Sequence, residues 1–448
     1  MDIIIVGAGE IGRYLATELS SAQHSISVIE QDAQLAAELE QVVDAKVIHG
    51  DGSKASTLIE ANVEQCKLFI ALTNDNTVNL VSCSMAKSMG VNEVLCRMHP
   101  RLQREEWLFD YRGHFGIDHL FSSEKLSSLE LAKYIRNPDA LAVEELAGGK
   151  IELQQLRITP KSAAVGKTLR ELKSPDKTRV ALVTRSGEKF IPTADTVILE
   201  KDVLTFFGEP KKLSELSRKV IPNKREVKDL RVAIFGGGEY GFSLAQMLEA
   251  WGCKVRVFEE DEARCRFLAE ELQSSTVIHA DATMMEELQD EQIGEVDFFV
   301  ATSTSDEDNV MSCLQAHQLG ARKCLTLVHR ADYARTISRT GRNLGIRAAV
   351  SPREATRRDI ERFLTDDYFH VVKSYSGNEV IEMVVREGAE VTNQRIQSVE
   401  WPEEVVLVGI VRKTEAWVPG PEDQIMAGDI VYAMVSQVSR KKLVKLLK

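Results

Sequence analysis

Ile4-Ile5-Val6-Gly7-Ala8-Gly9-Glu10-Ile11-Gly12 lies at the start of the chain, and its pattern returns as Val232-Ala233-Ile234-Phe235-Gly236-Gly237-Gly238-Glu239-Tyr240-Gly241. Gly7 maps to Gly236 at an offset of 229. Further landmarks keep that spacing to within a residue: Glu30 with Glu259, Asp51 with Asp281, Asn79 with Asn309, Cys83 with Cys313, Gly90 with Gly320 and Gly116 with Gly345. A second set repeats at 227, Arg185-x-x-Glu188-x-x-x-Pro192 and Ile198 to Asp202 returning as Arg412-x-x-Glu415-x-x-x-Pro419 and Ile425 to Asp429. Matches in such register make the chain two tandem halves, each with a larger and a smaller part.

In each larger part, short apolar runs alternate with helical stretches, the pattern of a parallel sheet wrapped by helices. The runs predict strands at Ile3–Val6, Ser25–Ile29, Lys46–Ile48, Leu68–Leu72 and Val94–Arg97, repeated at Val232–Phe235, Lys254–Phe258, Thr276–Ile278, Phe298–Ala301 and Cys324–Leu327. In the first smaller part, Ile151–Ile158, Val180–Arg185 and Val203–Phe207 predict strands around hairpins. The expected fold class is α/β: two tandem Rossmann-like parallel-sheet domains, each followed by a small α+β domain. The boundaries fall at 1–140, 141–210, a charged connector at 211–229, 230–368 and 369–448.

A lone G-x-G-x-x-G is a weak signal, because a glycine turn often only reverses the chain. Here Gly7, Gly9 and Gly12, and again Gly236, Gly238 and Gly241, follow an apolar strand and precede a helical stretch. In that setting the first glycine permits the turn, the second lets backbone approach a pyrophosphate, and the third packs helix on strand. The helix N-terminus then offers amides to the phosphates. Glu30 and Glu259 lie 23 residues beyond the first glycine of their halves. An acid there holds a ribose diol and repels the 2′-phosphate of NADP, favouring NAD(H) or an adenine nucleotide.

Other positions keep two readings. Asp51 and Asp281 follow the third strand, where a carboxylate reaches the adenine edge of a cleft or caps a helix. Thr73 with Asn74, and Thr302 with Ser303, close the fourth strand near the switch point, as ligand contacts or as caps. Arg97 ends the fifth strand, placed to meet a pyrophosphate or to form a structural ion pair, whereas its repeat partner is Leu327. The two sites are therefore not equivalent. Gly166-Lys167-Thr168 lacks the first glycine of a phosphate loop, which is Lys161 here. His49 and His279 recur alone and read as structural, and Asp306-Glu307-Asp308 reads as a solvated acidic helix start.

Composition narrows the class. The chain has 448 residues, about three folding units at roughly 150 residues each, with 44% hydrophobic and 28% charged residues. A net charge of −12 argues against a general nucleic-acid binder. The longest apolar run, Val405–Val411, is strand-sized, far below the roughly 20 residues that cross a bilayer. The start of the chain lacks the basic and small-residue features of a signal peptide, so a cytoplasmic protein is expected. The seven cysteines, none in a Cys-x-x-Cys pair, fit reduced, buried thiols.

With GAGEIG and GGGEYG each heading a large domain followed by a small module, the sequence resembles the TrkA family, cytoplasmic regulatory subunits of bacterial Trk potassium uptake systems. These are built from tandem RCK-N and RCK-C domains, and the resemblance covers essentially the whole chain. It implies a non-enzymatic peripheral protein on the cytoplasmic face of the inner membrane. It further implies a homotetrameric ring, a TrkH-type potassium transporter as partner, and NAD(H), ATP and ADP as ligands. Carried over, the nucleotide contacts fall on Gly7, Ala8, Gly9, Glu10, Ile11, Glu30, Asp51, Thr73, Asn74 and Arg97. In the second half they fall on Gly236, Gly237, Gly238, Glu239, Tyr240, Glu259 and Asp281. Segments Glu124–Ile135 and Arg353–Leu364 are the candidate packing elements between units. The competing class is an NAD-dependent oxidoreductase, for which the small parts show no acid/base constellation. Structural scaffolding is a third reading.

Overall fold

The structure, a computed structural model, describes residues 1–448 except 106, 138–139, 222–225, 362, 365–368, 376 and 414. The first large domain runs β1 (Asp2–Val6), α1 (Glu10–Ser21), β2 (Ser25–Glu30), α2 (Ala33–Glu40), β3 (Lys46–His49), α3 (Ala55–Glu60), β4 (Leu68–Ala71), α4 (Asn76–Ser88), β5 (Glu93–Arg97), α5 (Pro100–Gln103), α6 (Tyr111–Phe115), β6 (His119–Phe121) and α7 (Ser123–Arg136). Its strands are parallel in the order β3-β2-β1-β4-β5-β6. Residues Ile3 to Val6 of β1 and all of β4 are apolar and buried, as central strands covered on both faces must be. The first small domain is antiparallel: β7 (Ala140–Leu146), β8 (Ile151–Arg157), β9 (Thr178–Arg185), β10 (Glu188–Phe190), β11 (Val203–Gly208) and α8 (Pro210–Val220).

The second large domain repeats the first: β12 (Arg231–Phe235), α9 (Glu239–Ala250), β13 (Lys254–Glu259), α10 (Glu262–Glu271), β14 (Thr276–His279), α11 (Met285–Asp290), β15 (Phe298–Ala301), α12 (Asp306–Leu319), β16 (Cys324–Leu327), α13 (Ala331–Thr340), β17 (Ile346–Val350) and α14 (Pro352–Glu361). Its strand order, β14-β13-β12-β15-β16-β17, matches the first. The second small domain comprises β18 (Phe369–Tyr375), β19 (Asn378–Val384), β20 (Val405–Arg412), β21 (Glu415–Trp417), β22 (Ile430–Ser436) and α15 (Arg440–Leu447). The fold class is the expected one, with three differences in detail.

Each large sheet has a sixth strand, β6 or β17, beyond the five expected. Three residues of β6 are too few for a readable alternation. The charged stretch expected as connector begins instead as helix α8, which buries Leu213, Leu216 and Val220 in the first small domain's core. Its Lys and Arg residues form the outer face of an amphipathic helix. Residues 222–225 of that connector lie outside the described residues. Asp306 is not solvated; it is 7% exposed and accepts from the His329 and Arg330 amides and from His329 Nδ1. All seven cysteines are buried and free, as expected.

By contact the chain forms two compact units, one holding both large domains and the other both small ones. In the first unit, each large domain sends its last helix to the other. Leu131, Ala132 and Ile135 of α7 join the core of the second domain, and Ile360 of α14 joins that of the first. Ser128 Oγ donates to Tyr240 O at 2.7 Å, Tyr14 OH donates to Glu354 at 2.6 Å, and His119 Nε2 lies 2.6 Å from Asp359. The two candidate packing segments therefore pack between domains, Arg362 lying outside the described residues. In the second unit, Ile151, Leu153, Leu182 and Phe207 share one core with Val380, Val408, Tyr432 and Met434. The landmarks at offset 227 build one recurring pair, a half-buried arginine bidentate on a buried aspartate: Arg185 on Asp202 and Arg412 on Asp429.

Glu354 joins the two large domains through Tyr14, with Arg357 donating to it at 2.8 Å. Burial opposes its charge, but hydrogen bonds from Arg357 and Tyr14 and the Arg357 charge hold its carboxyl at about 2, below the ordinary 4.5. Folding thus favours the ionised form, a contribution complete above about pH 4.5 and lost as pH falls toward 2. Glu354→Gln is expected to lower Tm near neutral pH, and the gap to wild type to narrow as pH falls below about 4 in thermal melts.

Candidate functional site

The strand order reverses between β1 and β4, and a crevice opens there at the C-terminal ends of the strands. It encloses about 360 Å³. Gly7, at φ +101°, makes the turn, and a Cβ on Gly12 would lie 1.9 Å from Gly7 O, so α1 docks closer than any side chain permits. Gly9 has nothing within 4 Å of its Cβ position, so its backbone faces open space. Gly9 is also the N-cap of α1 and supplies no side-chain cap. The first amides of the helix thus lie at the crevice without a capping side chain, a ready anion site.

Glu30 bridges the turn and the next helix, accepting from Ala8 N at 2.5 Å and Asp32 N at 2.8 Å. Ile11 and Glu10 line the crevice at the first turn of α1. Thr73 and Asn74 line its far wall beside Arg97. Arg97 donates to Asn74 Oδ1 and to Glu124 Oε1, both at 2.8 Å. Burial opposes charge on Glu124, but the Arg97 guanidinium and local hydrogen bonds hold its carboxyl below the ordinary range. Asp51 is engaged by the Ser53 hydroxyl and amide, which keep its carboxyl low; its neighbours Gly50 and Gly52 line the crevice.

The second half repeats much of this. Gly236 has φ +91°, Glu259 accepts from Gly237 N at 2.8 Å and Asp261 N at 3.0 Å, and Asp281 from Thr283 N at 2.9 Å. A Cβ on Gly241 would lie 1.9 Å from Gly236 O. Thr302 Oγ1 donates to Phe235 O and Gly236 O, and Ser303 N to Asn309. Glu239 and Tyr240 part company: Glu239 pairs with Arg264 and with Arg101 and Arg104 of the first large domain, while Tyr240 reaches the crevice of the first half.

Sequence reasoning missed that the first crevice is composite. Tyr240, His329, Pro352 and Arg353 of the second large domain form its remaining wall. Arg353 pairs with Glu10 at 3.2 Å, and its Nε is buried without a hydrogen-bond partner. Burial, with Glu124 nearby, pushes the Tyr240 hydroxyl up, so it stays a neutral donor. Leu35 and Val78 add apolar surface. Asn79 was visible only as a repeated landmark. Fully buried, it accepts from Thr73 N and donates to Thr73 O and Arg97 O, clamping the ends of β4 and β5. Asn309 does the same for Ser303 and Leu327. Among the described residues no group of acidic, His and Cys side chains has metal-ligand geometry, and no helix is long and apolar enough to cross a membrane.

Comparison with known proteins agrees with this architecture. The TrkA-N domain model matches residues 3–123 and 232–352, and the TrkA-C domain model matches 153–220 and 380–448. The Trk system potassium uptake protein TrkA of Halomonas elongata is 31% identical over 97% of this chain and 96% of its own. A Methanosarcina mazei TrkA homolog is 27% identical over 99% of this chain and the whole of its own. The solved structure of the GsuK channel bound to NAD superposes with a TM-score of 0.62 at 17% identity, covering all of this chain and 78% of that one.

The clamp can be tested directly. Asn79→Ala strands a buried amide and two carbonyls, and is expected to cost about 2–3 kcal/mol in urea unfolding, with Asn309→Ala similar.

Proposed function

The chain belongs to the TrkA family, and on that premise we propose that it is a cytosolic nucleotide-sensing regulatory subunit. It takes NAD(H), ATP or ADP in the first crevice and gates a TrkH-type potassium transporter as a homotetrameric ring. It meets the cytoplasmic face of the membrane through that transporter alone, and it is not an enzyme. The observation that carries this reading is the composite crevice: an uncapped helix N-terminus and a ribose-type acid from one large domain, closed by Arg353, His329 and Tyr240 of the other.

Phosphates at the α1 amides leave the adenosine end toward Glu30, Gly50 and Leu35. Glu30 accepts from a ribose diol and repels a 2′-phosphate, which selects against NADP. The relatives named as potassium uptake proteins and the GsuK structures solved with NAD and with ADP support the ligand class and the partner. Arg353 now faces Glu10; an anionic ligand beside Glu10 competes for it and draws the second domain's wall onto the first. A ligand shifts a gate only by its differential affinity for two arrangements, and each tenfold difference is worth about 1.4 kcal/mol. Several sites in a ring add to a decisive shift.

Two variants test this. Glu30→Ala is expected to weaken NADH and ATP binding at least about tenfold by calorimetry, and unchanged affinity overturns the reading. Arg353→Ala is expected to weaken ATP by about tenfold as well and to blunt nucleotide-dependent potassium flux in vesicles bearing a TrkH-type transporter.

A further inference from the structure

The repeat that builds two glycine turns does not build two equal crevices. Leu35, an apolar wall of the first crevice, becomes Arg264 at the offset of 229. Arg264 does not point to solvent. Its Nε donates to Gly237 O at 2.7 Å and its NH2 to Glu239 at 3.2 Å, so the side chain lies across the turn. Its guanidinium stacks 4.6 Å from the Phe267 ring centre and 5.7 Å from that of Phe242. Those rings, 5.4 Å apart, replace the Arg13–Glu38 ion pair of the first half. The support under Arg264 is thus apolar and aromatic where its counterpart is charged and wet.

Independent positions narrow the same end. The first turn carries Ala8, and the second carries Gly237, where a Cβ would fall 2.3 Å from Leu268 Cδ1. That glycine serves the close approach of α10 rather than of a ligand. Gly50, which lines the first crevice, becomes Ala280, and the Asp281 amide is taken by Glu287 at 2.6 Å. Glu239 also differs from its counterpart. Its side chain is 14% exposed, against 67% for Glu10, and it sits among Arg264, Arg101 and Arg104. Gly238 keeps the open face of Gly9, so the backbone of the turn itself is unchanged and the differences lie in the side chains around it.

We propose that Arg264 occupies the adenosine end of the second crevice, so that each chain holds one nucleotide, in the first crevice only. The inference rests on the nucleotide reading of the first crevice. A nucleoside entering the second would have to displace Arg264 from a backbone carbonyl, a carboxylate and two rings, whereas in the first the equivalent position is the apolar Leu35. The second turn is kept because α9 still needs Gly241 to dock, with Glu239 and its arginines held in place of a ligand.

The test is stoichiometry by equilibrium dialysis of the full chain against ATP and, separately, NADH. One equivalent per chain is expected for wild type, and two for Arg264→Leu, the residue of the first half. Two equivalents in wild type, or a count that stays at one in folded Arg264→Leu, overturns the inference. The wild-type count decides even where the variant fails to fold. Zero equivalents in wild type is a different failure, that of the nucleotide reading itself, and takes this inference with it.

Discussion

The close approach of helix to strand at Gly12 and Gly241 governs everything built around it. A Cβ at either position would sit 1.9 Å from the carbonyl of the first glycine of the turn, so α1 and α9 reach a depth against their sheets that only glycine allows. That depth aims the helix N-terminus over the ends of the strands rather than past them. Asn79 and Asn309 hold the opposite lip, each tying the end of the fourth strand to that of the fifth. With both lips fixed, the gap at the topological switch point is a property of the backbone, and side chains only decide what it accepts.

The exchange of last helices turns this local geometry into a property of the pair. Because α7 contributes to the second domain's core and α14 to the first, neither large domain buries its apolar surface alone. The crevice of one domain is then walled by residues at the start of the other's helices, Tyr240 at α9 and Arg353 at α14. Coupling needs no long path here. A ligand that touches both walls reads the distance between domains directly, and a change in that distance must move the interlocked helices with it.

The fold was legible because its determinants are short-range and repeated: buried strands as unbroken apolar runs, turns as glycines, halves as a constant offset. What escaped was short or amphipathic. Strand β6 has three residues and no period to read, and α8 hid Leu213, Leu216 and Val220 among lysines until the spacing met a surface to bury them against. The site was half legible. Gly7, Gly9, Glu10, Ile11, Glu30, Thr73, Asn74 and Arg97 converge because a single domain positions them. Arg353 and His329 carry no local signal, since their place in the crevice is set by how the second domain folds onto the first. Asp306 misled because its partners His329 and Arg330, within the same domain, are 23 and 24 residues away.

Duplication also sorts residues by role. Positions that stayed alike, the outer glycines of each turn, the acid after the second strand, the Asn clamp and the Arg–Asp pairs of the small domains, all serve contacts internal to a fold. Several positions that diverged meet at the first crevice: of the pairs Leu35 and Arg264, Arg97 and Leu327, Ile11 and Tyr240, Glu124 and Arg353, it is Leu35, Arg97, Ile11, Tyr240 and Arg353 that line it. Glu30 and Glu259 show why likeness alone is a poor guide to ligands. Each accepts from its glycine turn and from the start of the next helix, so the acid has work in the fold before any ribose arrives. A recurring motif therefore testifies to architecture before it testifies to a ligand.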